Sequence, residues 1–561
     1  MDLSKISKIL PQFGKRKVHQ QVRQFVLSGI LAGMVAGCSM LGGGDDTERG
    51  TAGYVEGFLG GVSADEPRAA LVGREILSAG GSATDAAVGM YFTLSVTMPS
   101  TASLGGGGVC VVHDSVSGDT KSLNFLARVP KSIPGTATRP SAIPGNPRGF
   151  FALHAKYGFL RWEQLVAPAA NLARFGTPVS RALSHDLMAA HDALAADSAF
   201  SEIFEGNQSG KLISEGGMLT QLDLSTILSV LSSNGPGDFY NGKTSIHLVD
   251  AVERAGGSLD LADLREYRPY WEDTIRVPYG DHTMHFPSPP ASAGIVAASM
   301  FHMLANQDLY FDADGVVELA HAMSETAMFA YADRARWMLD SGETRWSREE
   351  LSDMSRIETD LDKFSFENHN PAASLTQTPT KRSEDPSGTS FVAVDNSGGA
   401  VACSLTMNNL FGTGRIAPGT GIVLATVPDD KNRGPISLVP MIMDNPNSNK
   451  FFWAGASSGG AAAPTSLVNV AAHAILGNRS LSSAVEEKRI HHSGYPDTTY
   501  YEDGLEQWIV DGLTSRGNST EGVSSMGLVN AVYCFKGLPE YPESCEAVAD
   551  PRGYGLSASA E

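Results

Sequence analysis

Cysteine is scarce in this sequence, five among 561 residues. Cys110, Cys403, Cys534 and Cys545 stand at no metal-like spacing from a histidine, so a zinc-type ligand set is not expected and no metal or other cofactor is implied. Basic charge is also short: 42 Lys and Arg face 62 Asp and Glu, a formal net charge of −20. Such a chain has little with which to replace the counterions on phosphates, which argues against nucleic acid as a partner. The apolar run 25–37 is too short for a permanent membrane span. No internal repeat is found, which argues against a solenoid. What remains is a chain 42% apolar, enough for a large core.

The N-terminus carries an address. Lys5, Lys8, Lys15, Arg16, Lys17 and Arg23 precede the apolar run, which ends in Val35-Ala36-Gly37-Cys38. A basic start, a short apolar core and small residues before a cut define an export signal. Cysteine directly after Val-Ala-Gly resembles a bacterial lipobox, in which Cys38 is acylated and becomes the first residue. The plainer alternative is an ordinary secretory signal with an incidental cysteine. Ser39 gives no obvious inner-membrane retention signal, so the expected address is the periplasm, with the lipid in the outer membrane. Loss of 1–37 removes six basic residues and one acid and takes the net charge to −25.

Residues 38–62 are rich in Gly, Ser and Asp and read as a flexible tether. From Pro67 helical patterns alternate with short strands. PRAALVGREILSAGG has helical spacing and stops at Gly80-Gly81, and SATDAAVGMYFTLSVTMPS reads as a mostly buried helix. LGGGGVCVVHD reads as a glycine turn into a strand, 144–173 as helix–turn–helix, and GGSLDLADLREYRPYW as a helix closed by Pro269. Residues 341–387 are polar and without a sustained period, a poorly ordered linker. TSFVAVD and AVACSLTM, joined by Asn396-Ser397-Gly398-Gly399, signal a hairpin. ASSGGAAA is a glycine turn before a helix over 464–476. Cys110 and Cys403 read as small buried hydrophobes. Cys534 and Cys545 flank a Gly/Pro/Glu loop, and outside the cytoplasm they can form a disulfide.

The segments GGSATDAAVGM, SLGGGGVCVVHD, PGNPRGFFALHAKYG, DFYNGK, ADLREYRP, AYADRARW, NLFGTG, PGTGIVL, RIHH and DPRGYG occur in an order that resembles the γ-glutamyltransferase family over about residues 66–556. The resemblance implies an α+β, four-layer αββα sandwich, the N-terminal-nucleophile hydrolase fold. It also implies one internal cleavage that leaves a large subunit (63–388) and a small subunit (389–561) associated.

That chemistry needs a Thr, Ser or Cys opening a strand. Its side chain attacks the preceding carbonyl, and hydrolysis of the ester frees an α-amine that serves as base for its own hydroxyl. Thr389 follows the linker and opens TSFVAVD, and Gly388 before it leaves the scissile carbonyl accessible. Counting back from Asp395 without a gap, however, puts Gly388 in the family's nucleophile position. Thr389 needs a one-residue deletion, which flips one flank of a strand unless a bulge absorbs it. The alternative is that Thr389 is an ordinary strand threonine.

The resemblance further assigns Thr406 to the nucleophile's hydroxyl, Asn408 and Asp430 to the substrate ammonium, and Gly459-Gly460 to an oxyanion hole. Two apart on an extended strand, Thr406 and Asn408 would share a face. Where the family holds the α-carboxylate with an arginine and two serines, Leu126 replaces the arginine, and Ser437 is followed by Leu438. Arg128 lies two residues on and, on a strand, could reach in from a shifted position. Val427 replaces a polar residue on the ammonium side. The implied activity is amide cleavage with acyl transfer to water or an amine, on a γ-glutamyl compound such as glutathione or on another small acyl amide. A catalytically impaired binding lipoprotein is the rival. A metal enzyme built on His491-His492 is remote, since neighbours on an extended segment face opposite ways.

Overall fold

The computed structural model describes residues 57–560 apart from 195–196, 206–210, 340–342, 376–386 and 429–433. Cys38 and Asp430 therefore lie outside the described residues. Two sheets face each other. The first runs in the order Leu556–Ala560, Gly60–Ala64, Thr389–Asp395, Ala400–Thr406, Gly107–His113, Thr120–Asn124, Tyr270–Asp273. The second runs Cys545–Ala549, Leu528–Leu538, Lys450–Ser458, Val439–Asn445, His282–Phe286, Ile275–Tyr279. Alternate residues of the first sheet, among them Val111, Val392, Val394 and Ala402, meet Ile442, Ala454, Ala456 and Val532 of the second in a dry layer. The other faces are covered by helices, which completes the four-layer αββα sandwich.

The helices follow their sequence signals. Pro67–Ser78 is capped by Glu66, whose carboxylate accepts from Ala69 N–H, and Gly80 in the left-handed region ends it. Ala83–Thr97 opens with a Ser82–Asp85 capping box and is buried along its whole length, because it lies between the first sheet and other helices. Asn146–Tyr157 and Trp162–Phe175 form the expected pair. Over the second sheet lie Ala293–Asn306, Val316–Trp337 and Ala462–Ala471, the last continuing as a π turn to Leu476. Among the described residues no helix is long and apolar enough to cross a membrane.

Three expectations need correction. Residues 343–375 are not a poorly ordered linker: Arg348–Ser352 and Ser355–Leu361 are helices that bury Leu351, Met354 and Ile357 against the second core. Two turns are too short for a period to stand out among polar residues. The tether ends earlier than residue 62, because Gly60–Ala64 is a central strand of the first sheet and Phe58 packs between the sheets. Cys110 and Cys403 are not free hydrophobes: they face each other in register on neighbouring strands and form a disulfide. Cys534 and Cys545 are likewise paired across two strands.

Candidate active site

At one end of the sandwich the Thr389 strand, the Thr406 strand and the turn after Ser458 converge on the residue that follows the Gly60–Ala64 strand, Asp65. Thr389 is fully buried and its Oγ1 donates to Asp65 Oδ2 at 3.0 Å. The same oxygen accepts from Ser390 N–H at 2.8 Å and from Ser458 Oγ at 3.4 Å. Asn530 Nδ2 donates to Asp65 Oδ1 at 2.6 Å, and Ser63 Oγ in turn fixes Asn530 Oδ1 at 2.7 Å. Burial is the largest influence on Asp65 and pushes its pKa up to about 6, against the lowering by its hydrogen-bond donors; the charge of Asp550 adds to the rise.

A raised carboxyl pKa makes stability depend on pH. Asp65 binds its proton more tightly folded than unfolded, so its contribution is complete below about pH 4 and lost as pH rises through about 6, roughly 3 kcal/mol in all. Relative to the parent, Asp65→Asn should therefore gain roughly 2 kcal/mol of stability between about pH 4 and pH 7. Urea midpoints at both pH values measure this. A constant difference would mean that Asp65 titrates normally.

Thr389 pairs with Leu405, and the register runs unbroken from there to Val394 opposite Ala400. No bulge interrupts this pairing, and its next step sets Gly388 beside Thr406, whose Oγ1 donates to Ser387 O at 3.1 Å. Gly388 lines a cavity of about 980 Å³ together with Asp65, Ser458 and Gly459. A Cβ on Gly388 would meet Leu405 O at 3.2 Å and Ser458 Cβ at 3.8 Å, so a small shift would admit a side chain.

Thr406 ends its strand, and Asn408 beyond it has φ of 60°. The shared-face argument therefore does not hold; Thr406 Oγ1 instead accepts from Asn408 N–H at 2.9 Å, and Asn408 Nδ2 donates to Thr426 O at 2.9 Å. Gly459 and Gly460 have φ of 123° and 63°, and a Cβ on Gly459 would lie 2.6 Å from Gly527 Cα. Both conformation and space thus require glycine at 459. Among the described residues neither N–H of this pair donates to a protein acceptor, as an oxyanion hole requires.

The carboxylate end differs from the expectation for Arg128. The Thr120–Asn124 strand stops before Leu126, so two-residue alternation does not carry Arg128 inward. Its guanidinium lies over Tyr267 and Tyr270, at 4.9 and 5.4 Å from the ring centres, and Nη2 donates to Arg268 O at 2.9 Å. Leu126 and Leu438 are buried against each other with Val109 and Ala291. Ser437 closes a short 3-10 turn next to them.

His491 and His492 do face opposite ways. His491 lines the cavity and bonds Thr465 Oγ1 at 2.9 Å. His492 Nδ1 accepts from Gly494 N–H at 2.9 Å, which places its proton on Nε2, 3.2 Å from Asp497 Oδ1. His369 sits between Glu325, at 2.6 Å, and the same Asp497 oxygen, at 3.2 Å. Burial opposes charging of His369, but the Glu325 bond and charge prevail and raise its pKa. This His369–His492–Asp497 group has the closeness of a metal site, yet both ring nitrogens of His369 and Nδ1 of His492 are already engaged in hydrogen bonds. RIHH and DPRGYG have a structural use as well: Arg489 pairs with Asp550 and Arg552 with Glu502 beneath the cavity.

Sequence reasoning missed Asp65, Ser458 and Asn530. Asp65 stands in SADEP, at the border of the presumed tether, and only the pairing of the Gly60 strand with the Thr389 strand brings it to the site.

The family model for gamma-glutamyltranspeptidase matches residues 69–560. The chain is 26% identical over 512 residues to the glutathione hydrolase proenzyme of Escherichia coli, covering 84% of this chain and 87% of that one. It is 27% identical over 542 residues to the glutathione hydrolase proenzyme of Bacillus subtilis, with 87% and 91% covered. Among solved structures, the cephalosporin acylase of Bacillus halodurans superposes with a TM-score of 0.76 at 20% identity, covering 93% of this chain and 100% of that one. The gamma-glutamyltranspeptidase of Pseudomonas nitroreducens gives 0.50 at 24% identity, with 59% and 99% covered.

Proposed function

Because the chain belongs to the gamma-glutamyltranspeptidase family, enzymes that are processed into two subunits and act on small molecules, we propose that it is an exported amide hydrolase or acyl transferase that cuts itself between Gly388 and Thr389. The supporting observation is the hydroxyl of Thr389, oriented by a buried carboxylate at the start of a strand. After cleavage the freed α-amine of Thr389 takes the hydroxyl proton, and Oγ1 adds to the substrate carbonyl. Gly459 and Gly460 N–H groups stabilise the oxyanion, to the extent of ~3–4 kcal/mol for such a donor. The C–N bond breaks and the amine leaves with that proton; water or a second amine then gives up a proton to the α-amine and attacks the ester, and the proton passes to Thr389 Oγ1 as the acyl group departs.

For the acyl donor we take a small amide with an amino group near the reacting carbonyl, gripped by Asn408 and Asp430. Relatives named for glutathione hydrolysis make a γ-glutamyl amide the reference substrate. The closed apolar group around Leu126 and Leu438 favours a donor without a carboxylate there, since a carboxylate wants a charged fork.

One observation favours a second reading. Gly388, not Thr389, lines the cavity beside Thr406, as it would if the nucleophile had been lost from position 388 and the protein persisted as a binding lipoprotein. Intact mass and N-terminal sequencing of the purified, reduced protein decide. Two chains, the smaller beginning at Thr389, support the enzyme; a single chain sinks it in favour of the binding protein.

Export with acylation at Cys38 is part of the same proposal. Cys38→Ser should move the protein from the detergent-rich to the aqueous phase in detergent partitioning, because the anchor's buried CH₂ groups are lost. If parent and variant partition alike, Cys38 carries no lipid.

A further inference from the structure

We propose that Asp65 is the proton acceptor for the Thr389 hydroxyl during self-cleavage, a role that rests on Thr389 being the nucleophile. Before the cut the α-nitrogen of Thr389 is an amide and cannot act as a base, so the first proton transfer needs another group. Asp65 Oδ2 is 3.0 Å from Thr389 Oγ1, within the reach that general-base catalysis needs. Its other oxygen is clamped by Asn530, and Ser390 N–H fixes Oδ2 from the following peptide, so the carboxylate has little freedom to turn away. It is 5% exposed, yet it forms part of the cavity wall, which gives water a route to the ester.

The step balances without any outside reagent except water. Asp65 takes the proton as Thr389 Oγ1 bonds to the carbonyl carbon of Gly388. The tetrahedral centre collapses, the C–N bond to Thr389 breaks, and Asp65 returns its proton to the leaving nitrogen. Water then splits the Gly388–Thr389 ester, leaving a carboxyl group on Gly388 and the free amine and hydroxyl on Thr389.

The surroundings tune this carboxylate for the task. The apolar sheets around it favour its neutral form, and Asp550, itself held by Arg489 and Arg552, adds a like charge. The neighbouring Glu66 carboxylate is turned away to Ala69 N–H and Thr97 Oγ1. A pKa of about 6 leaves Asp65 ionised at neutral pH while keeping it a stronger base than an ordinary carboxylate.

The full-length precursor, made by cell-free synthesis, is followed on reducing gels between about pH 4 and pH 8, beside Asp65→Asn, Asp65→Glu and Thr389→Ala. The parent rate should rise through about pH 6 and level off. Asp65→Asn should cut ~10²–10⁴-fold more slowly and lose that rise, Asp65→Glu should recover part of the rate, and Thr389→Ala should stay whole. A folded Asp65→Asn that cuts at Thr389 with the parent's rate and pH profile overturns the role of Asp65 and leaves Thr389 standing. If the variant does not fold, the parent decides: a rate independent of pH over this range overturns the proposal. A parent that stays whole, or is cut elsewhere, overturns both assignments.

Discussion

Thr389→Ala should leave the chain whole and lower amide-cleaving activity by about three to six decades, the usual cost of deleting a nucleophile. No hydroxyl would remain to attack the Gly388 carbonyl, and no α-amine would be freed to act as base. Gly388→Thr separates the two readings of this corner. If Thr389 is the nucleophile, a branched side chain at 388 crowds the scissile carbonyl between Leu405 O and Ser458, and self-cleavage slows. If position 388 is where a nucleophile has been lost, the same substitution confers cleavage on a chain that had none. Reduced intact mass reads both outcomes. A parent chain that is whole and a Gly388→Thr chain cut before residue 388 would transfer the catalytic role away from Thr389.

Combining Leu126→Arg with Leu438→Ser should raise kcat/KM for a γ-glutamyl anilide by one to two decades, the equivalent of ~1.5–3 kcal/mol for a charge-assisted carboxylate contact. Both side chains now sit in an apolar group with Val109 and Ala291, so the double substitution also exchanges a dry contact for an arginine that is paired only when substrate is present. A lower melting temperature should accompany the gain, and added substrate should offset it. Arg128→Ala should change kcat/KM by less than about threefold, because that guanidinium is held on Tyr267 and Tyr270. Loss of activity in the folded Arg128 variant, or no gain in the double variant, would mean that the acyl group is not held beside Leu126 and Leu438.

Much of the fold was legible because its signals are local. The Gly80 stop and the turn between the Thr389 and Ala400 strands each act within a few residues. Gly459 and Gly460 were reached through the family resemblance, and their positive φ angles explain why glycine stands there. The rest depends on partners far along the chain. Asp65 reaches Thr389 only through sheet order, with more than three hundred residues between them. Cys110 and Cys403 look like ordinary strand cysteines until their strands are set side by side. The reading of Arg128 has a smaller flaw: it carried alternation four residues past the end of the Thr120–Asn124 strand. The short helices at Arg348–Ser352 and Ser355–Leu361 failed because their apolar residues are few and stand in polar sequence.

The disulfide between Cys110 and Cys403 spans the Gly388–Thr389 bond. A cut there would yield two polypeptides that remain one covalent molecule. Both sulfurs are buried in the first sheet, so a reductant would reach them only slowly before unfolding. On a denaturing gel without thiol the processed protein should migrate as a single species, heavier than its precursor by one water, and separate into two only after reduction. Urea alone should not exchange or strip the smaller polypeptide, and after dilution the two pieces should find each other as intramolecular neighbours rather than as partners in solution.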